Sequence, residues 1–94
     1  IMYSEAHDHY QYVMLNDHRQ IKVRATVTEL LTTLMRSGGF VRVGSAYIGN
    51  LRNVKNVSTY KVELYNDMSI PIPRGKHTEI KKAFWDYQYE GQED

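Results

Sequence analysis

The chain has 94 residues, 41% of them hydrophobic and 24% charged, which is one small globular domain and not a disordered segment. A domain of this size buries only about 60–65% of its unfolded surface, leaving little room for a large enclosed catalytic cavity. It contains no cysteine, so disulfides, thiolate zinc sites and thiol switches are excluded, in keeping with a reducing, cytoplasmic setting. No apolar run approaches the roughly 20 residues of a membrane span, and no signal peptide opens the chain. The chain opens at Ile1 inside a strand-like stretch, which suggests a domain cut from a longer protein. The net charge is +1, but it is unevenly spread. Between Glu29 and Glu63 lie Arg36, Arg42, Arg52, Lys55 and Lys61 with no acid, whereas Asp86, Glu90, Glu93 and Asp94 follow Lys82 with no base. This asymmetry suggests a cationic face for a polyanion and an acidic tail over 86–94.

Taken in chain order, the first strand is expected over Ile1–Glu5. The second, Tyr10–Leu15, is rich in β-formers and ends at the turn residues Asn16-Asp17. Gln20–Arg24 alternates polar and apolar residues, the pattern of a half-buried antiparallel strand, and should pair with the second in a hairpin. The period then changes: Val27, Leu30, Leu31, Leu34 and Met35 fall on one face of a helix over 27–36. Thr26-Val27-Thr28-Glu29 is a capping box that starts this helix, and Ser37-Gly38-Gly39 stops it. Further strands are expected at Phe40–Val43, Tyr47–Asn50, Val54–Ser58, Lys61–Leu64 and Ser69–Ile72. Tyr65-Asn66-Asp67 forms a turn, and Pro71 and Pro73 place the last strand at an edge. His77–Trp85 is either a short C-terminal helix or a frayed tail. The whole is one mostly-β domain.

Few residues offer chemistry. His7 and His9 form a His-x-His pair, but without cysteine the remaining ligands would be His18, His77 or distant acids, so they read as polar residues of a strand connection. Ser45 lies in no nucleophile elbow, and neither Gly38-Gly39 nor Gly44 belongs to a phosphate-binding glycine motif. Nothing points to an enzyme, a metal or a cofactor. Nucleic-acid binding has more behind it. Arg42, Arg52, Lys55, Arg74 and Lys76 lie in or beside strand connections, within reach of phosphates, and His9, Asn50 and Asn53 offer hydrogen bonds to phosphates or base edges.

The segments IMYSEAHDHYQYVML, IKVRATVTELLTTL, GGFVRVGSAYIGNLRNV and SIPIPRGKHTEIKKAF resemble, in order and spacing, successive blocks of the LytTR DNA-binding domain, up to about Phe84. The resemblance implies an elongated arrangement of small antiparallel sheets with a short helix, acting as the output half of a two-component response regulator behind a receiver domain. It also implies loops inserted into successive major grooves of promoter DNA, at paired direct repeats where a dimer assembles. The first such loop corresponds to His7, Asp8, His9 and Tyr10. The second corresponds to Gly44, Ser45 and Ala46, where relatives usually carry a His-Arg/Asn-Ser cluster. The third corresponds to Arg74, with Gly75 and Lys76 behind it. On this reading Arg74, His9 and Ser45 contact bases, Arg74 as a bidentate fork on guanine. Arg42, Arg52, Lys55, Lys76, Asn50 and Tyr10 contact phosphates. The alternative is a protein-interaction module of the same fold, using Tyr60, Tyr65, Tyr87 and Tyr89 as anchors.

Overall fold

Turn residues and hydrophobic alternation cut the chain into eight strands and two helices, and the computed structural model describes residues 1–90. The strands are β1 (Tyr3–His7), β2 (Tyr10–Met14), β3 (Gln20–Arg24), β4 (Phe40–Val43), β5 (Tyr47–Asn50), β6 (Val54–Val57), β7 (Lys61–Leu64) and β8 (Ser69–Pro71). Helix α1 spans Val27–Leu34, α2 spans His77–Glu90, and Leu51–Asn53 forms a 3-10 turn. Strands account for 38% of the fold and helices for 27%. A five-stranded antiparallel sheet runs β3-β2-β1-β5-β4, and a three-stranded one runs β6-β7-β8.

Register decides what each face buries. Ser4 pairs with Val13 and Ile48, and Val13 with Ile21, so these side chains share one face of the large sheet. Helix α1 lies against β4 and β5, and only Val27 of its apolar stripe is fully buried. The opposite face carries Tyr3, Val41, Val43 and Tyr47, which join Leu51, Val54, Val57, Val62, Leu64, Ile70, Ile72 and Ile80 in the main core. That core welds the small sheet and α2 to the large sheet. Each fully buried Leu, Ile or Val in it contributes about 1.5–3 kcal/mol.

The capping box forms as the sequence suggests. The Glu29 amide donates to Thr26 Oγ1 at 3.0 Å, and the Thr26 amide to Glu29 Oε1 at 3.2 Å, satisfying two N–H groups that a helix start otherwise leaves unpaired. The helix ends at Leu34 because Arg36 and Ser37 donate to carbonyls three residues back, and Gly38 and Gly39 then turn left-handed.

The first strand sits two residues later than expected. His7 pairs with Tyr10 across the turn at Asp8-His9, with Asp8 at φ 58°, and this fixes the register. The hairpin of β2 and β3 forms, but β3 is not half-buried: it is the outer strand, Ile21 is 46% exposed, and only Val23 is partly covered. The small sheet stacks over the other end of the large one and does not reach it.

The helix α2 extends through Asp86 to Glu90, because Ile80, Ala83, Phe84 and Tyr87 form a helical stripe along its inner side. The acidic tail expected over 86–94 is therefore helical as far as Glu90, and 91–94 lie outside the described residues. Tyr87 packs against the core and is not an exposed anchor.

Burial, and then the negative charge of Glu5, push the phenols of Tyr3 and Tyr47 above their usual 10.0. The folded chain holds these protons more tightly than the unfolded chain does. The stabilisation is therefore intact below pH 10 and is lost as pH rises through the raised values. Urea midpoints measured between about pH 8 and about pH 11 should fall with pH, and less steeply in Tyr47→Phe. Equal slopes in the two proteins would contradict this origin.

Candidate nucleic-acid interface

Strand direction brings three connections to one end of the molecule. β1 runs toward the turn at Asp8-His9, and β5 pairs antiparallel to it, so the β4–β5 turn at Gly44-Ser45-Ala46 lies beside the first turn. The Ala6 amide donates to the Ala46 carbonyl at 2.6 Å and ties the two together. Asp8, His9 and Ser45 line one hollow with Gln11 and the start of α1. Ser45 also lines a second hollow, with Arg42, Gly44, Pro73, Lys76, Glu79 and Ile80. Ser45 thus stands between the first and third connections.

The third connection is a tight turn. Lys76 donates its amide to the Pro73 carbonyl at 3.1 Å, and Gly75 takes φ +82°, the conformation that the third residue of a type II turn requires. Arg74 is therefore displayed at the apex. It is exposed and forms no ion pair among the described residues, so its planar fork of donors is available to a partner.

Gly44 locks this turn to the previous one. It has φ +69°, and a Cβ there would stand 2.5 Å from Pro73 Cγ. Only glycine allows both the backbone conformation and this approach. Arg42 braces the same turn, donating from Nε to the Gly44 carbonyl at 3.0 Å and from Nη1 to Thr28 Oγ1 of α1 at 3.4 Å. Lys76 sits 3.5 Å from Glu79, with both side chains exposed, so water screens the pair and the lysine keeps most of its pull on an anion. Tyr10 is half-buried beneath Lys22, whose Nζ lies 4.1 Å from its ring centre.

The structure does not gather every expected contact. Asn50 and Arg52 lie at the opposite end of the β4–β5 hairpin, beside Gly38, Gly39 and Tyr87. The Asn50 side chain accepts from the Arg52 amide at 3.1 Å and donates to the Ile1 carbonyl, so it serves the 3-10 turn. Asn53 Oδ1 is buried. Lys55 is on β6, at the end of the small sheet that faces away from the Arg74 turn, because Val54 pairs with Leu64 while Ile72 meets Tyr60. Two cations that sequence reasoning passed over lie close to the site: the Tyr10–Arg24 and Tyr12–Lys22 pairings bring Arg24 and Lys22 beside the first turn. The alternation of Gln20–Arg24 was visible, but the register that faces it toward tyrosines was not.

Gly44→Ala should cost about 1–3 kcal/mol of stability through its strained φ and its contact with Pro73. Pro73→Ala should relieve part of that loss in the double variant, read from urea midpoints. Strictly additive losses would show that the two residues do not touch in solution.

Comparison with known proteins places the chain in a family. A solved structure of the LytTr DNA-binding domain of a protein described as a methyl-accepting/DNA response regulator, from Bacillus cereus, superimposes with a TM-score of 0.75. It is 22% identical, and the match covers 88% of this chain and 79% of that one. At that identity the likeness speaks for the fold. No curated protein matches the chain. The family model described as the LytTr DNA-binding domain matches residues 1–85, and the chain belongs to that family of DNA-binding domains.

Proposed function

We propose that the chain is the single output domain of a two-component transcriptional regulator, binding promoter DNA in a sequence-specific manner without catalysing a reaction. The observation that carries this reading is the convergence of the Asp8-His9, Gly44-Ser45-Ala46 and Pro73–Lys76 turns on one end, with Arg74 at an apex and in no ion pair among the described residues. Narrow turns of this kind fit a major groove about 12 Å wide, where base pairs present distinct donor and acceptor patterns. Arg74 reads guanine through O6 and N7, and His9 and Ser45 reach neighbouring base edges. Arg42, Lys76 and Tyr10 hold phosphates and set the register. Arg52, Lys55 and Asn50 have no part in this assignment, because they stand away from the three turns.

Ser45, flanked by glycine and alanine, offers one short hydroxyl, so the second turn contributes less base reading than Arg74. In the full protein a receiver domain precedes this one, and two copies bind paired direct repeats. Such a regulator works in the cytoplasm. Among the described residues no helix is long and apolar enough to cross a membrane.

Arg74→Ala should lose about 1–3 kcal/mol on a duplex selected from a random-sequence pool and relax preference at one base pair. On unselected duplex the loss should be smaller. Lys76→Ala should weaken both duplexes alike and flatten the salt dependence by about one unit. Fluorescence anisotropy at several salt concentrations reads both effects. Equal losses for Arg74→Ala on the two duplexes would remove its base-reading role. Absent or salt-independent binding would favour a protein-interaction module anchored by Tyr60, Tyr65 and Tyr89, which are exposed.

A further inference from the structure

The outer strand β3 carries two cations, Lys22 and Arg24, to which the reading above gives no role, and Arg24 borders the hollow lined by His9 and Ser45. Register places Arg24 opposite Tyr10 and Lys22 opposite Tyr12, and His7 opposite Tyr10 on the next strand, so all five side chains share one face. It is also the face on which Tyr3, Val43 and Tyr47 meet the small sheet. Lys22 and Arg24 are exposed and form no ion pair among the described residues. Lys22 Nζ stands 4.1 Å from the centre of the Tyr10 ring and 5.9 Å from that of Tyr12. The two rings limit where this ammonium group can go while leaving it open to solvent. His7 packs edge-on to Tyr12 at 6.2 Å between centres and props that ring. Glu5 shares the face, paired with Tyr12 and Tyr47, and its negative charge acts on the Tyr3 and Tyr47 phenols. Asp8 occupies the left-handed position of the adjoining turn.

This cationic and aromatic strip begins at the first turn, since His7 and Tyr10 are the residues that flank Asp8-His9. Its two cations are two residues apart on one strand, about 7 Å, close enough for both to reach neighbouring phosphates of one DNA strand. Register sets both cations beside the turn that carries His9. Resting on the DNA-binding reading above, we propose that Lys22 and Arg24 form a sequence-independent clamp on the phosphate backbone, held in place by Tyr10 and Tyr12. The clamp grips DNA on one side only of the bases that the turns read. Its occupant is the flanking duplex, because evenly spaced phosphates suit two cations at fixed spacing and the strip offers no apolar groove for a peptide.

The test uses the whole chain and a duplex selected by it from a random-sequence pool, with flanks on both sides or shortened by about five base pairs on one side or the other. Binding is measured by anisotropy from low to high salt. Lys22→Ala/Arg24→Ala should flatten the slope of log affinity against log salt by about 1.8 units, at ~0.9 per phosphate, on the full duplex. Shortening one flank should abolish the difference from the wild type, and shortening the other should leave it. Lys22→Arg should keep the wild-type slope, and thermal melting by circular dichroism checks that the double variant is folded. Equal slopes for wild type and double variant on every duplex would overturn the clamp while leaving DNA reading by the turns intact. A difference that survives shortening of either flank would also overturn it, because the cations would then act at the core site. Failure of the wild type to bind any duplex would remove the DNA-binding reading, and the clamp with it.

Discussion

At Gly44 a hydrogen atom stands where any other residue would place a carbon 2.5 Å from Pro73, and the geometry of the proposed binding end follows from that approach. The β4–β5 turn belongs to the large sheet, and Pro73 follows the last strand of the small one. Their contact fixes one sheet's loop against the other's beside Ser45 and Arg74, the residues proposed to read DNA. Together with the bond from the Ala6 amide to the Ala46 carbonyl, it joins the three turns into one rigid edge. Rigid placement matters because side chains ordered before binding lose less entropy when the partner arrives.

The same arrangement explains a division of labour among the arginines. Arg42 spends two donors on the Gly44 carbonyl and on Thr28 of α1, so much of its value is structural, and α1 is thereby coupled to the turn. Among the described residues Arg74 has no such partners, and it sits on a turn that Gly75 permits. A guanidinium without internal partners at an apex is suited to a bidentate contact. One already bonded on its inner side is suited to a phosphate approached from outside.

Much of the fold was legible in the sequence because local rules decided it. The capping box at Thr26 and Glu29, the glycine stop after α1 and the strands Phe40–Val43, Tyr47–Asn50 and Lys61–Leu64 stand where residue patterns place them. Exposure of β3 was not legible, since alternation in Gln20–Arg24 marks two faces but not whether a second layer covers either one. Nor was the length of α2, where Tyr87 completes the inward stripe that Ile80 and Phe84 begin, across a stretch whose acids suggested a tail. Within the proposed site, the turns carrying His9, Ser45 and Arg74 were singled out through the family resemblance, and strand direction brings them to one end. The positions of Asn50, Arg52 and Lys55 required strand direction, which sends nearby residues of a hairpin to opposite ends of a sheet. Lys22 and Arg24 went unseen for the converse reason, being distant in sequence from the turn that register sets them beside.

The central claim is that one edge of the molecule, built from three turns, meets the duplex. Backbone amide chemical shifts followed by NMR during titration with a selected duplex test it directly. The largest changes should gather at Asp8–Tyr10, Gly44–Ala46 and Arg74–Lys76, with Asn50 and Arg52 little affected. Changes centred instead on Tyr65, Trp85 and Tyr89, with the three turns silent, would contradict it.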